Sequence, residues 1–198
     1  MSPAIAGMKL TYNDLLLFPE DGKRHELIDG EHYVSPSPIM PHQQIAGNLH
    51  WLLRSYLESH PLGRVFFAPL DVFFSQFDVV VPDLLYLSHE RAAQAVTDKY
   101  VEQCPELVIE IGSPSTRSRD ETTKLRLYER AGVTEYWIVD PRTASVRLYR
   151  RADDGFAKPL EVVKTARSVI TSPLFPGLSM SVADVFKDVP APLPRRRG

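Results

Sequence analysis

The chain has 198 residues, enough for one domain of ordinary size around a single core. Hydrophobic residues make up 43% and charged residues 24%, which excludes a disordered chain; the apolar runs are strand-length, which excludes a membrane-spanning helix. The net charge of -2 gives no global attraction to nucleic acid, so any DNA has to be held by local charge.

Residues 1–7 show no periodicity and are expected to be disordered, as is the Pro- and Arg-rich tail 188–198, with one domain over 8–187 between them. The start lacks the charged segment and long apolar run of a secretory signal, so a cytoplasmic location is expected. Cys104, the only cysteine, rules out an internal disulfide and a multi-cysteine zinc site.

Thr11 followed by Asp14 predicts a short helix that stops before Pro19. Asp29-Gly30 then separates two strand-like runs, 25–28 and 31–35, as in a tight hairpin. From His42 to His60 the apolar residues Ile45, Leu49, Leu52, Leu53, Tyr56 and Leu57 recur at helical spacing and define one buried face. His42 lies one turn before Ile45 on that face.

RVFFAPLDVFFS and DVVVPDLLYLS read as two strands separated by a turn near Gln76 to Asp78. The second is apolar on both faces, which predicts a central strand, with a break at Pro82 beside Asp83. A short exposed helix follows at HERAAQAVTDKY. From Glu106, alternation sends Leu107, Ile109 and Ile111 to one face of a strand, and Val108 and Glu110 to the other.

Ser118 with Glu121 offers a capping box for a helix over 117–131, and Gly132 stands where a left-handed cap would end it. Strands TEYWIVD and SVRLYRR, pieces near 160–163 and 168–171, and a short terminal helix complete the chain. The fold class expected is α/β, a mixed sheet flanked by helices with an N-terminal hairpin and a C-terminal β meander, and 117–131 is its crossover helix.

The chain contains no G-x-S-x-G, S-x-x-K, P-loop, G-x-G-x-x-G or H-E-x-x-H, and its six histidines include no pair at metal-ligand helical spacing. What remains is acids placed where acids are costly: Glu26, Asp83, Glu110 and, more weakly, Asp71. Any one of them is as readily a salt bridge or a loop cap. Asp83 and Glu110 together point to a magnesium or manganese site, since those ions prefer carboxylate oxygens.

Lys124 sits one turn after Asp120 and one before Tyr128. It either swings toward the acids or pairs with Asp120 in solvent; periodicity leaves both open. His42 and the Gly112-Ser113-Pro114-Ser115-Thr116 loop are further candidates, with hydrogen-bonded support and plain helix capping as the alternatives. Of the basic residues Arg117, Arg119, Lys124, Arg126, Arg130 and Arg195 to Arg197, most read as a solvated face.

V-P-D around Asp83, E-I-G-S-P-S-T from Glu110, D-x-x-x-K-x-x-x-Y from Asp120 to Tyr128 and G-V-T-E-Y-W-I-V-D-P from Gly132 form a set with H-E-L-I-D-G-E and S-P-x-P-x-x-H. Over residues 8–187 this set resembles the Uma-two-type restriction endonucleases, a branch of the PD-(D/E)XK nuclease superfamily. The resemblance implies a restriction-endonuclease-like fold, with Asp83 and Glu110 holding Mg2+ or Mn2+. The superfamily's lysine would fall at Gly112; in this branch the role moves to the helix, which lands on Lys124.

Glu26 matches the family's additional acid, and His42 its recurrent histidine. Ser113, Asp120 and Tyr128 are candidates for touching substrate or supporting the acids. The implied function is a metal-dependent endonuclease that hydrolyses DNA, with a homodimer as a candidate assembly. A nuclease-fold binding or interaction module without turnover is the alternative.

Overall fold

Pro69 and Pro82 each deny a strand one backbone donor, and the chain changes sheets at both. The computed structural model describes residues 9–190; the expected disordered start and most of the expected tail, with Arg195 to Arg197, lie outside the described residues.

A one-turn helix α1 (Tyr12–Leu15) leads to strands β1 (Arg24–Ile28) and β2 (Glu31–Ser35). Asp14 accepts hydrogen bonds from the Thr11 backbone N–H and hydroxyl. Asp29 and Gly30 both take positive φ, 55° and 74°, which a two-residue hairpin turn of this hand requires. A Cβ at Gly30 would lie 2.5 Å from that of Lys9, so only glycine fits.

Helix α2 (Met40–Ser59) has no side-chain cap at Ile39 but carries proline at its start. Packing holds it: Ile45, Leu49, Leu53 and Leu57 are buried, each stabilising by about 1.5–3 kcal/mol.

The two long strands expected next are four: β3 (Gly63–Phe67), β4 (Asp71–Ser75), β5 (Asp78–Val80) and β6 (Leu84–Ser88). β3 pairs with β6, and the β4–β5 hairpin joins β1 in a separate five-stranded sheet of order β2-β1-β5-β4-β7, in which β7 is Tyr100–Val101. Apolar content alone could not separate them, because both halves of each run are buried against something. Asp83 therefore stands in the break before β6 and not within a strand.

Helix α3 (His89–Ala95) buries Ala92 and Ala95, so it is half-covered where an exposed helix was expected. After β7 (Tyr100–Val101) comes β8 (Leu107–Ile111), buried at every position. The crossover helix runs as α4 (Arg117–Arg119), a π-helical turn Asp120–Lys124, and α5 (Leu125–Ala131), closed by Gly132 at φ 93°.

The expected capping box of Ser118 and Glu121 is not formed. The helix begins at Arg117 with Thr116, not Ser118, at its cap position; just before it, Ser113 Oγ accepts from the Thr116 N–H and Thr116 Oγ1 from the Ser113 N–H, each at 3.2 Å. Glu121 instead pairs with Arg117 and Arg147.

Strands β9 (Glu135–Asp140), β10 (Ser145–Ala152), β11 (Gly155–Phe156) and β12 (Leu160–Val163) follow. A hairpin of β13 (Val169–Ser172) and β14 (Phe175–Ser181) and a last turn α6 (Val182–Val185) complete the fold. β14 went unrecognised because Pro176 and Gly177 interrupt its pattern.

The larger sheet has the order β11-β10-β9-β8-β6-β3, with β12 also on β10. Only β8–β9 is parallel in it, as a helical crossover demands. Leu107, Ile109, Ile111 and Trp137 pack under α2 on one face. Val108, Tyr136 and Ile138 pack with Leu127 and Tyr128 on the other. Glu110 shares that second face, which is otherwise apolar.

Candidate active site

Alternation in β8 points Glu110 toward the crossover helix, and the helix answers it. Glu110 Oε1 accepts from Lys124 Nζ at 2.8 Å and from the Tyr128 hydroxyl at 2.7 Å. Lys124 Nζ also lies 2.7 Å from Glu26 Oε1. Both Lys124 and Asp120 are 2% exposed, so the solvent-facing pair allowed by periodicity is not the one formed. They bracket the π turn, a distortion that recurs at functional sites. The Tyr136 hydroxyl donates to the Asp120 carbonyl there at 3.1 Å.

The break at Pro82 delivers Asp83 to the same place. Its Oδ1 lies 2.6 Å from Arg24 Nη1. Its Oδ2 is 3.0 Å from His42 Nε2 and accepts the Ile111 N–H at 2.8 Å. Because Ile111 directly follows Glu110, that last bond fixes the spacing of the two acids through the backbone. Glu26, on β1, accepts the Val81 N–H at 3.0 Å and faces Arg119 Nη2 at 3.6 Å. Arg119 also donates to Ser35 Oγ.

Of these residues all but Val81, Pro82, Tyr128 and Tyr136 line one cavity of about 130 Å3, together with Ser113 and Thr116. Four carboxylates (Glu26, Asp83, Glu110, Asp120) meet three cations (Arg24, Arg119, Lys124) in its wall. Five buried side-chain nitrogens or oxygens lack a hydrogen-bond partner among the described residues. Four of them, Arg24 Nε, His42 Nδ1, Arg119 Nε and Asp120 Oδ1, belong to this wall. Buried polar atoms are nearly always paired, so such a concentration marks a place that water or a ligand would complete.

The charges are unequal in kind. Burial raises the pKa of Asp83, but bonds from His42, the Arg24 charge and the Ile111 N–H outweigh it and hold the carboxyl well below its ordinary value. Glu110 goes the other way: burial pushes it up, Lys124 opposes, and Asp83, Asp120 and Glu26 push it further. Burial also raises Asp120. Burial lowers Lys124, but Glu110, Glu26 and Asp120 overcome that and keep it a cation. Lys124 and Tyr128 both donate to Glu110 Oε1, so Oε2 is the oxygen that would carry the proton at pH values below the raised pKa.

That arrangement fits a hard divalent cation. Among the described residues no three acidic, histidine or cysteine side chains form a finished metal cage. Magnesium does not need one, since it is held by one or two carboxylates and completed by water and phosphate oxygens. Glu110 Oε2, Asp120 Oδ1 and the ionised Asp83 are the oxygens at hand.

Arg24 was missed from the sequence, and the inward turn of Arg119, weighed only among the basic residues of a solvated helix face, was missed as well. Arg24 was legible, because it stands two residues before Glu26 and a strand places both on one face. Arg119 was not, because its approach to Glu26 depends on how the helix winds into its π turn. Ser113 lines the cavity but spends its hydroxyl on Ser115 and Thr116. The basic residues of the helix divide. Arg119 and Lys124 turn inward, while Arg117 pairs with Glu121 and Asp140, and Arg130 with Asp78.

Residues 11–183 match the family described as Uma2, Putative restriction endonuclease. Among solved structures, a putative nuclease belonging to DUF820 from Anabaena variabilis ATCC 29413 is similar in fold. It shows a TM-score of 0.74 at 21% identity, covering 89% of this chain and 97% of that one. The type IIG restriction endonuclease BpuSI matches at a TM-score of 0.40 and 11% identity, over 77% of this chain and 16% of its own, too distant to argue from. No curated protein matches the chain. No described helix is long and apolar enough to cross a membrane.

Proposed function

This chain belongs to the Uma2 family and has a restriction-endonuclease-like fold, and from that premise we propose that it is a Mg2+- or Mn2+-dependent endonuclease hydrolysing DNA phosphodiester bonds. The observation that carries the reading is the gathering of four unpartnered buried polar atoms around one acid-lined cavity.

Asp83 and Glu110 would hold the cation, with Asp120 beside them and Glu26 as support. Held there, a divalent cation would supply positive charge for the scissile phosphate and would lower the pKa of an attacking water. The protein's own part is distinct. His42 and the Ile111 N–H hold Asp83 ionised and oriented. Lys124 keeps a fixed ammonium between Glu110 and Glu26, where it stabilises negative charge building on the phosphate. Arg24 and Arg119 each keep an unpartnered Nε–H, and guanidinium groups are suited to phosphate oxygens.

One set of contacts favours a second reading, a nuclease-fold binding module without turnover. Both Asp83 oxygens and the Lys124 ammonium already have partners within the chain. Incubating the purified chain with single- and double-stranded DNA in Mn2+, Mg2+ or EDTA separates the two. Cleavage in the metals and none in EDTA is expected. Intact DNA throughout would leave only the binding module.

A further inference from the structure

We infer that the groove adjoining the acid cavity is a seat for one unpaired nucleobase, so that the substrate is single-stranded or locally unpaired nucleic acid. The inference rests on the phosphodiesterase reading for what occupies the neighbouring cavity. It follows from how the two spaces share a wall. A second cavity, of about 230 Å3, lies against Arg24, His42 and Asp83, all three of which also line the acid cavity. The rest of it is formed chiefly by Gln43, Ala46, Phe67, Ala68 and Pro69.

Phe67, at the end of β3, is 58% exposed. Its ring meets His50 edge-on, with centroids 4.7 Å apart at 67°. A half-exposed aromatic ring beside a phosphate site is what single-strand binders use as a stacking platform, because every base has a π face. Gln43 adds one amide that can hydrogen-bond a base edge.

Size and charge select the occupant. The volume of about 230 Å3 is below the roughly 300–1,000 Å3 of pockets that take drug-sized ligands, which suits an occupant as small as one base. Arg24 stands in the shared wall, where the backbone of a strand entering both spaces would pass a guanidinium. Bases within a duplex already stack on their neighbours and cannot reach Phe67 without being turned out.

The test is a fluorescence titration of the full chain, with Ca2+ in place of Mg2+ or Mn2+ and the strand checked to be intact afterwards, using a short single strand that carries 2-aminopurine. Stacking should quench the probe. Phe67→Ala should weaken binding about tenfold or more and remove the quench, while Phe67→Trp should retain both. A fully paired duplex of the same sequence should bind more weakly.

The inference is overturned if the single strand is not bound, if Phe67→Ala binds it as the parent does, or if Phe67→Trp loses as much as Phe67→Ala. It also falls if Phe67→Ala instead dissociates a self-associated form of the chain in sedimentation. The quench does not depend on turnover. A chain that binds but never cuts DNA therefore sinks the nuclease reading and leaves the base seat standing. One that cuts single strand and duplex alike, with Phe67→Ala unaffected, does the reverse.

Discussion

Glu110→Gln is expected to raise the stability of the metal-free chain at pH 8 while cutting metal-dependent cleavage by about a thousandfold. Glu110 has a folded pKa above its ordinary value of 4.5. Its contribution is therefore fully present below that value and is lost as pH rises through the raised one. Glutamine keeps an oxygen for Lys124 and Tyr128 to donate to, and an N–H2 where the proton sits, so it imitates the protonated acid at every pH.

Parent and variant should melt together at pH 5 and diverge by on the order of 1–3 kcal/mol at pH 8, a shift of several degrees for a domain of this size. The loss of rate follows from removing a cation ligand whose charge stabilisation amounts to several kcal/mol. A variant that melts lower than the parent at pH 8 would show that Glu110 is simply a paired carboxylate.

Lys124→Met is expected to be costly in both stability and rate. Methionine fills much of the same space but leaves Glu110 and Glu26 without the ammonium between them. Breaking a buried pair from one side costs about 3–5 kcal/mol, which denaturant unfolding would read directly. Cleavage, measured where the variant is still folded, should fall by about 10²–10³ if the ammonium stabilises charge on the phosphate.

Tyr128→Phe is the control. It removes a bond to the same Glu110 oxygen but leaves the cation, so its rate should stay within about tenfold of the parent. Equal losses in the two variants would mean that Lys124 acts only by positioning Glu110.

What could be read in advance was local. Asp29-Gly30 encodes a turn by conformation, the 107–111 alternation separates Glu110 from its apolar neighbours, and Gly132 marks the end of the crossover helix. The acids proposed to hold metal were legible because a carboxylate in an apolar segment carries its cost visibly in sequence. Lys124 was a candidate from its place on the helix, and the resemblance to the Uma-two-type proteins chose between the two directions that periodicity left open.

What was not legible was pairing at a distance. Nothing local tells that β4–β5 leaves one sheet for another between Pro69 and Pro82. The π turn is likewise set by what Asp120 and Lys124 must reach across the sheet. Asp83 gained its role from that illegible feature, since the sheet change holds it in a break against Ile111.

Calorimetric titration of the full chain with Mn2+ tests most directly whether Asp83 and Glu110 hold a divalent cation. Binding should be clear at pH 8, weaken toward pH 6 as the ion competes with the proton on Glu110, and disappear in Asp83→Ala. No heat of binding at pH 8, or binding that Asp83→Ala leaves unchanged, would contradict that assignment.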